Sequence, residues 1–147
     1  MRSRSRAAKY LQSLLAVVLH CESAHAADVL HFETVVESVS ACRIDISLYR
    51  PLLTSSDAIL INLPSSGALS GILVTQFYFS PGRNGKQDDY GVVFNAPFSQ
   101  VASTFPEIAA SAMLNGRERE LVPLARETGN PRNKSQTLLV CRGGVAI

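Results

Sequence analysis

Tryptophan is absent from the 147-residue chain, methionine occurs twice and aromatic residues make up only 7%. A core must therefore be built mainly from aliphatic side chains. No apolar run approaches the 18 or so residues needed to cross a bilayer, which excludes a multi-span membrane protein, and no stable membrane span is expected. Charged residues make up 18% and form no long single-sign block, while 46% of the chain is hydrophobic. This is the composition of one globular domain, too apolar for a disordered chain.

Chemical motifs are equally sparse. There is no P-loop, no dinucleotide-binding fingerprint, no HExxH and no G-x-S-x-G elbow. Gly67-Ala68-Leu69-Ser70-Gly71 has its glycines at the right separation, but the serine falls one place late. Metal binding through cysteine lacks a CxxC. No catalytic residue, metal or cofactor is expected.

What is present begins with an export signal. Arg2, Arg4, Arg6 and Lys9 form a basic start, Leu11 to Leu19 a short apolar core, and Ala24-His25-Ala26 puts small residues at −3 and −1 of a cleavage site. We expect residues 1–26 to be a cleaved secretory signal and residues 27–147 a single small domain. No two arginines are adjacent there, which favours the general secretion route. Anchoring as a lipoprotein through Cys21 is the alternative; the bulky His20 before it fits that poorly. Cleavage would remove four of the 14 basic residues and one of the 12 acidic ones, leaving 10 against 11, a net charge of −1. Such a chain gives no electrostatic reason to bind nucleic acid. His20 and His25 would leave too, so His31, between Leu30 and Phe32, is the one mature imidazole and reads as a packing or surface residue.

Cys42 and Cys141 remain as an even pair. In an oxidising compartment, periplasmic or extracellular, they are expected to form a disulfide. Closing a loop of about 100 residues is worth about 4.7 kcal/mol in the chain-entropy treatment. That is large against a total stability of about 5–15 kcal/mol.

The hydrophobic pattern predicts an α+β fold, a mostly antiparallel sheet of five or six strands with two or three short helices on one face. Residues 28–40 read as helix or strand; Val29, Phe32, Val36 and Val39 have helical spacing, and Asp28 can cap the start. Cys42, Ile44, Ile46 and Leu48 alternate as in a strand ending at Arg50-Pro51. Residues 58–63 form another, closed by Pro64-Ser65-Ser66-Gly67. Residues 71–79 and 90–95 pair as a hairpin. Two helices are expected at 97–103 and 105–114, with a Thr104–Glu107 capping box and a stop at Asn115-Gly116. Pro123 marks residues 121–124 as an edge strand, and 137–141 reads as a buried strand.

Ser80 to Asp89 joins the hairpin strands without a large apolar side chain, and Asn84-Gly85 is a strong turn signal. This exposed loop is the leading candidate for binding. Arg83, Asn84, Lys86 and Gln87 are its polar groups, Asp88 and Asp89 its acceptors, and Tyr78 and Tyr90 flank it as amphipathic contact area. The 126–135 segment, with Arg126, Asn130, Arg132 and Lys134, is the second choice. Arg117-Glu118-Arg119-Glu120 reads as a solvated connection, and Asn133-Lys134-Ser135 as an accidental glycosylation match. The expectation is an exported, non-enzymatic binding protein of inhibitor or immunity type, acting on another protein. The alternatives are a small periplasmic hydrolase using carboxylates, such as Glu33, Glu37, Asp45 or Glu107, and an envelope assembly factor.

Overall fold

Phe32, Val35, Val36 and Val39 recur at the spacing that places them along one side of a helix, and that side is buried. A computed structural model, which describes residues 31–45 and 57–144, contains this helix as α1, Phe32–Ser40, with Val35 and Val39 fully buried. Adjacent β-branched valines lower helix propensity; burial against a sheet overrides it. The same residues would suit a strand, so this tertiary packing settles the ambiguity of 28–40. His31 is the N-cap, without a side-chain cap bond, and its ring lies 4.9 Å from that of Phe32.

The sheet has six antiparallel strands: β1 Ile59–Leu69, β2 Ile72–Ser80, β3 Asp89–Phe94, β4 Ala112–Leu114, β5 Arg117–Pro123 and β6 Thr137–Arg142. Their spatial order is β1-β2-β3-β6-β5-β4. The central strands β3 and β6 are buried on both faces, apart from Asp89 and Arg142 at one end. This explains why 137–141 reads as a near-continuous apolar run rather than an alternating one.

Three short helices close the remaining gaps. They are α2, Phe98–Thr104, α3, Pro106–Ala109, and α4, Leu124–Thr128. Val101 of α2 and Ile108 of α3 join the larger core with α1, between Phe77, Tyr90, Phe94 and Leu139. Leu124 of α4 covers a smaller cluster on the opposite face, with Tyr78, Val93, Val122, Leu138 and Val140. The fold is thus the expected α+β arrangement, with α4 added behind the sheet.

Several local expectations are corrected. Pro64-Ser65-Ser66-Gly67 does not close the first strand. It is an irregularity within β1, between the pairs Asn62↔Gln76 and Gly67↔Val74. An edge strand tolerates the missing proline N–H there. The turn comes at Ser70-Gly71, both at positive φ, as two-residue hairpin turns require. The helix expected to reach 114 stops at Ala109, and Asn115-Gly116, also at positive φ, turns β4 into β5. The helical spacing of Ala112 and Met113 was coincidental: Met113 is 72% exposed on a strand. Thr104 ends α2 and donates its hydroxyl to the Gln100 carbonyl, so no capping box forms. Residues 42–45 carry no strand; Ile46 to Pro51 lie outside the described residues, as do Asp28, Cys21 and the whole 1–26 segment. Arg117 to Glu120 is a strand rather than a connection, its alternating signs dividing between the two faces of the sheet.

The disulfide is present. Cys42, just beyond α1, is bonded to Cys141 on β6, with 99 residues separating them in sequence. Cys42 sits at φ 50, a conformation imposed by the reversal of the chain after the helix. The open carbonyls at the end of α1 are taken up by the β4–β5 hairpin. Arg119 Nη1 donates to Ser40 at 2.7 Å, and Asn115 Nδ2 to Ala41 at 2.7 Å. Arg119 Nη2 also reaches the Glu107 carbonyl of α3 at 2.9 Å, so one guanidinium ties two helices to the sheet.

Candidate functional site

The loop between β2 and β3 reverses at Asn84-Gly85, both at positive φ. Its two arms approach closely. A Cβ on Gly82 would lie 2.0 Å from the Lys86 carbonyl oxygen, so only glycine fits there. Gly82 donates its N–H to Asp88 Oδ1 at 2.7 Å. Gln87 donates its N–H to the Gly144 carbonyl at 2.9 Å, and Arg117 Nη1 donates to the Asp88 carbonyl. Asp89 Oδ1 accepts from the Gly143 N–H at 2.6 Å. Backbone groups of the loop are thereby held from within and from the chain after β6.

These bonds divide the expected site residues into two sets. Arg83, Asn84, Lys86 and Gln87 are exposed at the tip, and Arg83 forms an ion pair with Asp57 at 2.8 Å. With Asp89 they line a depression of about 390 Å³. Asp88 and Asp89 have a different role from the expected one, since each commits an oxygen to a backbone amide and so shapes the loop. Tyr78 and Tyr90 are not contact surface. They are 4% and 1% exposed and belong to the clusters on opposite faces of the sheet. Period-two alternation explains this: Tyr90 is paired with Phe79, and Tyr78 with Gly91, one position along. Arg117 lies over the Tyr90 ring, 4.8 Å from its centroid.

A charged cluster lies behind the sheet, beside this loop. Arg142 at the end of β6 donates Nη2 to Glu127 Oε2 of α4 at 2.8 Å and Nε to Glu120 of β5 at 2.7 Å. Its Nη1 reaches Glu127 Oε1 and lies 3.6 Å from Asp89. Tyr78 donates its hydroxyl to Glu127 at 3.2 Å. Hydrogen bonds from Arg142 hold the Glu127 carboxyl below its ordinary range, against the opposing effect of burial. The same bonds push Arg142 upward, and burial, followed by the charge of Glu127, raises Tyr78. A glycosidase general acid needs a carboxyl kept protonated near neutral pH; Glu127 is displaced in the opposite direction.

Sequence reasoning missed this cluster. Its local signal was the period-two Arg117–Glu120 run, which places Glu118 and Glu120 on one face and Arg117 and Arg119 on the other. A second depression, about 290 Å³, lies next to the cluster, between Leu60, Tyr78, Glu127 and Thr128. In the 126–135 segment, Arg126, Asn130, Arg132 and Lys134 are all exposed. Asn130 Oδ1 accepts from the Arg132 N–H at 3.0 Å, and Asn133 Nδ2 donates to Thr128 Oγ1 at 3.0 Å. Of the carboxylates named singly, Glu33, Glu37, Asp45 and Glu107 are exposed and dispersed over α1, its exit and α3.

Among the described residues, no group of three or more His, Cys, Asp and Glu side chains is placed to hold a metal ion, and no helix is long and apolar enough to cross a membrane. Comparison with known protein families, curated proteins and solved structures finds no match to this chain.

Proposed function

We propose that the chain is an exported binding protein that docks onto a protein partner through the 81–88 loop. The observation carrying this reading is the contrast within the loop. Its backbone is fixed by the amides of Gly82, Gln87 and Gly143, while Arg83, Asn84, Lys86 and Gln87 remain exposed. A surface ordered before binding loses less entropy when it docks, and loops on a rigid scaffold commonly carry such contacts. The disulfide indicates an oxidising compartment. With the leader-like residues 1–26, that supports release into the periplasm or medium after cleavage at Ala26. An inhibitor or immunity-type role fits a small domain that presents a rigid polar loop.

The test keeps the loop's internal bonds. Replacing Arg83, Lys86 and Gln87 by Ser removes the exposed groups and leaves Gly82, Asp88 and Asp89 in place. Tagged wild-type protein is expected to recover a stoichiometric partner from periplasmic extract of the producing cell, and the triple variant at least roughly tenfold less. Equal recovery by both proteins rejects the loop as the docking site. Mass measurement of the secreted form is expected to give a chain starting at Ala27, with its two thiol hydrogens missing.

A further inference from the structure

The depression at the 81–88 loop and the one beside Glu127 are not separate places. Ala58 lines both. Leu60 and Tyr78 are cross-strand partners, and Ser80, which borders the first depression, lies two residues along β2 on the same face as Tyr78. Together they make one groove across the outer corner of the sheet. Its ends differ in charge. Arg83 and Lys86 stand at the loop end, with Asp57 paired to Arg83. At the other end three carboxylates, Asp89, Glu120 and Glu127, share the single guanidinium of Arg142, which leaves an excess of negative charge; Arg126 offsets part of it. The middle is uncharged, bordered by Ala58, Ser80 and Leu60. Leu60 and the Tyr78 ring offer apolar surface suited to the methylene stem of a long basic side chain.

We infer that this groove receives an extended, dipolar stretch of polypeptide from the partner, with a carboxylate against Arg83 and Lys86 and a lysine or arginine at the Glu127 end. The inference rests on the docking role proposed for the loop and adds the chemistry of what docks. Tyr78 and Arg83 are five residues apart, at most about 17 Å of extended chain. A segment of about five residues therefore spans the groove.

The probes are three blocked pentapeptides titrated into the isotopically labelled mature protein and followed by amide chemical shifts. One is acetyl-Asp-Ser-Gly-Ser-Lys-amide; the others carry Asp at both ends or Lys at both ends. The dipolar peptide is expected to shift amides at both Gln87 and Leu60. It should half-saturate at a concentration roughly threefold lower than either like-charged peptide, the scale of an exposed ion pair. Ala58→Trp, a change at an exposed residue ahead of β1, is expected to abolish that preference without lowering Tm. Equal binding of the three peptides, shifts confined to one end, or an Ala58→Trp protein that titrates like wild type each overturns the inference. Loop-dependent partner capture without peptide discrimination defeats the dipolar groove and leaves the docking role standing. Peptide discrimination without loop-dependent capture does the reverse.

Discussion

On one face of the sheet, Phe77, Tyr90, Phe94 and Leu139 meet Val35 and Val39 of α1, Val101 of α2 and Ile108 of α3, and the disulfide lies within the same cluster. On the other face, Val93, Leu138 and Val140 are covered by Leu124 of α4, and the outer part of that face is held by Arg142 and its carboxylates. The first face is closed by apolar contact and a covalent bond. The second is closed partly by ion pairs, which hold the elements together while leaving depressions between them. Dry contact and a cross-link are insensitive to mild acid, whereas carboxylate pairs are not. The two faces should therefore fail under different conditions.

The largest effect should come from opening the disulfide. Reduction, or the Cys42→Ser/Cys141→Ser pair, is expected to cost up to about 4.7 kcal/mol, read from urea midpoints at pH 7. Unchanged midpoints would mean that the cross-link constrains the unfolded chain very little. Next, Phe77→Ala empties the centre of the same face and should cost about 3–5 kcal/mol, nearly independent of pH between 3 and 7.

A smaller loss, about 1.5–3 kcal/mol at pH 7, is expected for Glu127→Gln, which removes a charge-assisted pair on the other face. Its sign with pH follows from the lowered carboxyl. The pair's contribution is complete above the ordinary carboxylate value of 4.5 and disappears as pH falls through the lower value Glu127 has in the folded protein. Wild type and Glu127→Gln should thus converge in stability on acidification, while wild type and Phe77→Ala stay apart. If Glu127→Gln keeps its full deficit at low pH, the second face does not depend on this ion pair. The smallest effect is reserved for the Arg83, Lys86 and Gln87 triple variant. Thermal or urea unfolding should move by no more than about 0.5 kcal/mol, since none of the three side chains supports the loop backbone.

Some of this was legible in the residues. The pair Cys42 and Cys141, the buried run at 137–141, the hairpin strands on either side of the 81–88 loop, and the exposure of Arg83 through Gln87 all follow from cysteine parity, hydrophobic period and turn chemistry. Asn115-Gly116 was visible as a breaker but was assigned to the wrong element, because three apolar residues before it matched a helical period by chance. Tyr78 and Tyr90 illustrate a different limit. Their closeness to the loop in sequence suggested a shared surface, yet strand alternation sends them into opposite cores.

The sequence by itself determined the two periodicities, the positions where the chain can reverse, and the stock of polar groups at each reversal, because these depend on neighbours within a few residues. Only the tertiary structure decided that residues 32–40 are helical, that Asp88 and Asp89 bind backbone amides, and that Arg142 meets Glu120, Glu127 and Asp89 at one corner. Those contacts depend on the strand order β3-β6-β5, which brings residues 15 to 54 positions apart side by side. Such pairings are selected by the burial energy of the whole sheet, and no short window of sequence contains that sum.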